Sequence, residues 1–143
     1  MIGNELDDRL LNSCRAYLKS IDSKLNYVTP TELRGMIDGG EDIFILDNRS
    51  PEAFSSGHIE GAVNIWLRDA LDDDNLAKLP TDRKIVVCCW VGHTASQLMT
   101  LLKMLGYDAV GLKYGMGEPA VPGESKEGWD ECGFPTSQAS TPK

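Results

Sequence analysis

The sequence predicts an α/β domain built on a central, mainly parallel sheet, and three observations predict it. Short apolar, β-branched runs alternate with segments whose apolar residues recur at helical spacing, as strand-helix-strand units require. The run Ile85-Val86-Val87-Cys88-Cys89 is apolar throughout, the pattern of a strand covered on both faces. Immediately after it, around Gly92, the apolar period changes from strand to helix. At 143 residues, 41% of them hydrophobic and 25% charged, the chain has the length of one domain and ordinary globular usage. A domain of this size buries roughly 70% of its unfolded surface and needs no disulfide framework.

In chain order, residues 1–26 read as an amphipathic helix, with Leu6, Leu10, Cys14, Tyr17, Leu18, Ile21 and Leu25 on one side. This N-terminal extension is expected to dock on the domain. A second helix starts at Thr29-Pro30-Thr31-Glu32, a threonine cap followed by proline and an acidic first turn, and ends at Gly39-Gly40. Residues 43–46 form a buried strand running into the loop Asp47-Asn48-Arg49-Ser50-Pro51, with one short helix over 52–56. A turn and brief strand occupy 57–65, and residues 70–79 read as an acidic-faced helix opening at Asp72-Asp73-Asp74. The strongest strand covers 84–89; a helix from Ala95 to Gly106 and a short strand over 109–112 follow. From Tyr114 onward, frequent glycine and proline predict loops, with Trp129 and Phe134 available for burial. The domain is expected over 27–135 and a flexible tail over 136–143.

The charge balance excludes several functions. Fourteen Lys and Arg against 22 Asp and Glu give a net charge of −8, which opposes a non-specific hold on nucleic acid or an anionic membrane. No apolar run approaches the ~20 residues of a membrane helix. The polar start Gly3-Asn4-Glu5 lacks a signal-peptide core, so a cytoplasmic location is expected. The four cysteines, Cys14, Cys88, Cys89 and Cys132, form no C-x-x-C pair, and with only His58 and His93 beside them no metal site is expected. A bond between the neighbours Cys88 and Cys89 would be strained and easily reduced.

Chemistry concentrates at Val87-Cys88-Cys89-Trp90-Val91-Gly92-His93-Thr94-Ala95, where a buried strand ends, a loop turns and a helix begins. Ligands in open α/β sheets gather at such carboxyl strand ends. If the loop curls round Cys89, the amides of residues 90–94 point inward and the helix directs its positive end at the sulfur; both effects favour a thiolate nucleophile. Gly92 supplies the sharp turn. By strand alternation Cys88 faces the opposite side and packs in the core.

Taken together, Thr29-Pro30-Thr31-Glu32-Leu33, Leu46-Asp47-Asn48-Arg49, Glu52-Ala53-Phe54, Gly57-His58-Ile59-Glu60-Gly61-Ala62-Val63-Asn64-Ile65, the loop at Cys89 and Gly106-Tyr107 resemble the rhodanese-like domains of the sulfurtransferase superfamily. The resemblance implies a three-layer fold with a mainly parallel sheet between helices, to which the N-terminal helix is an addition. It implies that Cys89 takes a sulfane sulfur from a donor such as thiosulfate or a persulfide. The outer sulfur then passes to cyanide, a thiol or a sulfur-relay protein, without metal or organic cofactor. The six-residue loop, 89–94, looks like that of sulfur-transferring members, whereas related phosphatases carry one residue more and end in arginine. A phosphatase or arsenate reductase is correspondingly disfavoured. The alternative is a low-turnover sulfur carrier or regulatory binding module.

The substrate loop comprises Trp90, Val91, Gly92, His93 and Thr94. Trp90 and Val91 form an apolar lip that suits an organic persulfide or a protein donor. His93 either supplies charge or a hydrogen bond to the donor or is a solvated loop residue. Thr94 either donates its hydroxyl to the persulfide or caps the helix. Asp47 and Arg49 are read as scaffold tying neighbouring loops, with Glu52 or Glu60 as further partners, and secondarily as groups near the donor. His58 is read as a hydrogen-bonded structural residue. Trp66 stands where the resembled family commonly has proline, and its usual Gly-Gly-aromatic ending becomes Tyr114-Gly115-Met116-Gly117.

Overall fold

The alternation seen in the sequence is realised as helices α1 (Asp8–Ser20), α2 (Pro30–Asp38), α3 (Pro51–Ser56), α4 (Asp73–Leu76) and α5 (His93–Met104). Between them run strands β1 (Tyr27–Val28), β2 (Ile43–Asp47), β3 (His58–Ile59), β4 (Val63–Asn64), β5 (Lys84–Cys88), β6 (Ala109–Leu112) and β7 (Thr136–Ser137). The structure, a computed structural model, describes residues 6–117, 128–130 and 132–138. Five strands form one sheet in the order β1-β6-β5-β2-β4, every neighbouring pair parallel. The two longest strands, β5 and β2, pair from Ile43↔Lys84 to Asp47↔Cys88 in its interior, as their continuous apolar runs require. Two-residue strands close both edges, leaving little unpaired backbone.

Side-chain alternation divides the core between the two faces of the sheet. Ile85, Val87 and Cys89 pack with Ala95, Leu98, Met99 and Leu102 of α5. Val86 and Cys88 pack on the other side with Leu33 of α2, Phe54 of α3, Met116 and Trp129. Helices thus cover both faces in three layers. α2 begins with a complete capping box, in which Thr29 and Glu32 each accept from the other's backbone N–H, with Pro30 in the first turn.

Three sequence expectations are corrected. The N-terminal helix spans only Asp8–Ser20, and none of its residues is buried; residues 1–5 of the expected helix lie outside the described residues. Its contact with α5 runs through Tyr17, whose hydroxyl lies 3.1 Å from Thr100 Oγ1 and receives a bond from the Asn26 amide. Leu6, Leu10, Leu18 and Leu25 stay exposed, because one helix edge resting on another cannot cover so wide an apolar stripe. The helix expected over 70–79 is only the single turn α4, preceded by a 3-10 turn at Leu67–Asp69. The bonds Lys78 N–H to Asn75 and Leu79 N–H to Leu76 tighten its end to i→i+3 spacing. Finally, Thr136 and Ser137, expected in a loose tail, pair antiparallel with Ile59 and His58, so the ordered chain extends past 135; residues 139–143 lie outside the described residues.

Candidate active site

Cys89 follows the last residue of β5, and its sulfur accepts hydrogen bonds from the backbone N–H of Gly92 at 3.1 Å and of Ala95 at 3.3 Å. Gly92 is the residue before α5 and has φ +101, a left-handed conformation that costs a side-chain-bearing residue roughly 1 kcal/mol or more. That turn brings the first turn of α5, whose amides lack intrahelical acceptors, over the sulfur. Of the amides of residues 90–94 expected to point inward, that of Gly92 bonds the sulfur, and the second donor, Ala95, lies one position beyond that range. Only 2% of Cys89 is exposed, so its sulfur sits beneath the loop.

The loop is also held from outside. Met116 N–H donates to the Cys89 carbonyl and Gly117 N–H to the Trp90 carbonyl, each at 2.9 Å. In planar trans peptides, carbonyl and amide hydrogen point opposite ways, so the Trp90 and Val91 amides turn away from this clamp. Gly115, at φ +54, makes the close approach possible: a Cβ there would lie 2.3 Å from the Cys89 carbonyl oxygen. Behind the clamp, Trp129 N–H bonds to Gly115 and Asp130 N–H to Met116, while the buried Trp129 indole donates to the Pro135 carbonyl.

Asp47 and Arg49 form a buried pair. Arg49 Nε reaches Asp47 Oδ1 and Oδ2 at 3.0 and 3.2 Å, and one terminal nitrogen reaches Oδ2 and the Gly57 carbonyl, both at 2.7 Å. The guanidinium carbon lies 4.5 Å from the centre of the Trp90 ring, within cation–π range. Burial opposes the Arg49 charge, but the hydrogen bonds and charge of Asp47 outweigh it and hold the guanidinium above its ordinary value. The pair ties the end of β2 to the Gly57 carbonyl and to Trp90, where Glu52 or Glu60 were the expected partners. Trp90 is consequently a half-buried side chain resting on Arg49 and the α2–α3 side of the core, and only in part a lip. Val91 is half-buried and His93 is exposed at the first position of α5.

Thr94 is not the helix cap. It lies inside α5, where Gly92 is the cap and makes no side-chain bond, and its hydroxyl lies 3.2 Å from Asn48 Oδ1. The Asn48 amide donates in return to the Thr94 carbonyl at 3.0 Å. Asn48 is 2% exposed; the sequence places it in the loop after the strand and in the motif Leu46-Asp47-Asn48-Arg49 but assigns it no role. Cys88 lies on the opposite face, fully buried, its thiol 3.6 Å from the Cys89 carbonyl. His58 stacks on Phe54 with ring centres 3.6 Å apart and places Nδ1 2.7 Å from the Phe54 carbonyl, a structural role as read.

A cysteine cradled by amides at the carboxyl end of a parallel sheet defines a class of α/β proteins with an anion-favouring strand-to-helix turn. The profile of the rhodanese-like domain matches residues 29–118, and the chain belongs to that family. It is 35% identical to the probable adenylyltransferase/sulfurtransferase MoeZ of Mycobacterium tuberculosis over 95 residues, which make up 66% of this chain and 24% of that protein. The chain therefore spans about a quarter of the length of that relative. The thiosulfate sulfurtransferase PspE of Escherichia coli is 29% identical over 77 residues, covering 54% of this chain and 74% of PspE. A rhodanese-related protein from Thermoplasma volcanium superposes with a TM-score of 0.64 at 22% identity, over 78% of this chain and 97% of that one, a likeness of fold.

Proposed function

We propose that this protein is a sulfurtransferase that carries sulfane sulfur as a Cys89 persulfide. The observation that carries the reading is the pair of backbone donors, Gly92 and Ala95, on the Cys89 sulfur. Such donors stabilise negative charge on that atom without reorganising during reaction. The Cys89 thiolate attacks the outer sulfur of the donor, forming a new S–S bond. The donor's own bond to that sulfur breaks, and its electron pair leaves as sulfite from thiosulfate or as a thiolate from an organic persulfide. An acceptor, cyanide or a thiolate, then attacks the outer sulfur and returns the bonding pair to Cys89. Names containing sulfurtransferase among the relatives support the same chemistry.

The low-turnover carrier is favoured by one observation. Arg49, read secondarily as a group near the donor, is held by Asp47, the Gly57 carbonyl and Trp90, so its charge is already compensated before a donor arrives. A thiol-borne or protein-borne persulfide fits such a site better than a small dianion. Treatment with thiosulfate or with glutathione persulfide, followed by intact mass measurement, is expected to give an adduct of ~32 Da, one sulfur, absent in Cys89→Ser. No adduct from either donor refutes sulfur transfer. An adduct from the persulfide without turnover of thiosulfate and cyanide selects the carrier.

A further inference from the structure

Asn48 lies at the end of β2, 46 positions before the residue it grips, and nothing in the sulfur chemistry above assigns it a part. Its backbone is fully used: the N–H donates to the Cys88 carbonyl at 2.9 Å and the carbonyl accepts from Leu67 N–H at 3.0 Å. The strand end is thus fixed whatever side chain follows. The buried side chain then spans to α5, giving one bond to the Thr94 carbonyl and accepting one at the Thr94 hydroxyl. Thr94 and Ala95 share a peptide unit, and the Ala95 N–H is the donor on the Cys89 sulfur. A planar peptide gripped at its carbonyl cannot tilt its amide independently.

We infer that Asn48 is a positioning residue for Cys89: by clamping Thr94 to the end of β2 it holds the Ala95 N–H on the sulfur. The Thr94 hydroxyl is committed to this clamp and not to a bound donor. The inference rests on the reading of Cys89 as nucleophile, but it needs no sulfur donor to be tested. It makes a geometric demand that alanine, valine or leucine at position 48 cannot meet, since none can both donate and accept.

The test measures the rate at which native protein is alkylated at Cys89 by iodoacetamide at neutral pH, resolved from Cys88 by peptide fragmentation, with thermal melting recorded alongside. Asn48→Ala is expected to slow alkylation roughly tenfold, the size of one hydrogen bond to a charged group. Gln97→Ala, at an exposed position of α5 outside the clamp, is expected to react at the wild-type rate. A purely structural role would lower the melting temperature and leave the rate intact, and that result overturns the inference. Should Asn48→Ala not fold, Thr94→Val decides at an exposed position: half the wild-type rate or less supports the clamp, and an unchanged rate refutes it. An Asn48-dependent rate in a protein that never accepts sulfane sulfur leaves the clamp standing and removes only the sulfur-transfer reading.

Discussion

Cys88 and Cys89 are neighbours in sequence, and the alternation of an extended strand sends their side chains to opposite faces of the sheet. Cys88 enters the layer containing Ile45, Phe54 and Leu112, while Cys89 meets the donors of Gly92 and Ala95. Burial, reinforced by the charge of Asp47, pushes the Cys88 thiol well above its ordinary value. An unfolded cysteine ionises near about pH 8.5; above that pH the unfolded chain gives up a proton that the folded chain keeps at Cys88. Stability therefore falls as pH rises through this range, by up to about 1.4 kcal/mol per pH unit from this one group, and its contribution is intact below it. Cys88→Ala is expected to flatten the loss of stability between about pH 8 and about pH 10, read by urea unfolding of both proteins. Cys89 and Gly92 were legible because a thiol at a strand end and a glycine before a helix are local signals. The partner of Thr94 was not, because it arrives from a strand 46 residues away, and spacing along the chain carries no trace of it.

At the level of elements, strands were the most readable. Residues 43–46 and 84–89 as expected became Ile43–Asp47 and Lys84–Cys88, since a continuous apolar run has one solution in a covered parallel sheet. The helix expected over 1–26 ends at Ser20 and docks on α5 by one edge, since periodicity reports a stripe but not how much of it finds a partner. Tyr17 carries the contact, through Thr100 and Asn26. Tyr17→Ala is expected to cost about 1–2 kcal/mol and to release the amides of α1 to hydrogen exchange. Leu18→Lys, at a residue 67% exposed, is expected to stay within about 0.5 kcal/mol of wild type. Equal losses in the two variants would show that α1 docks through its leucines.

Across the whole molecule, residues 114–117 and 128–130 lie where glycine and proline predict loops, and the sequence carries no sign of what they hold in place. Glycine and proline report where regular elements stop, not which backbone groups the loop will clamp. Met116 and Gly117 grip the carbonyls of Cys89 and Trp90, and Trp129 backs them with a side chain 1% exposed. Trp129→Ala is expected to cost about 3–5 kcal/mol by opening a cavity. The same variant should raise the rate of proteolysis within residues 114–117, measured with the urea midpoint at unchanged m-value. A loss below about 1 kcal/mol would mean that the indole only shields the clamp from water. The order in which these contacts arise along the chain has a further consequence during synthesis. β5 and α5 emerge from the ribosome well before Trp129, Pro135 and the pairing of β7 with β3. A nascent chain halted near residue 112 would hold every element of the large sheet and both donors on the Cys89 sulfur, yet lack the Met116 and Gly117 amides that hold the loop from outside.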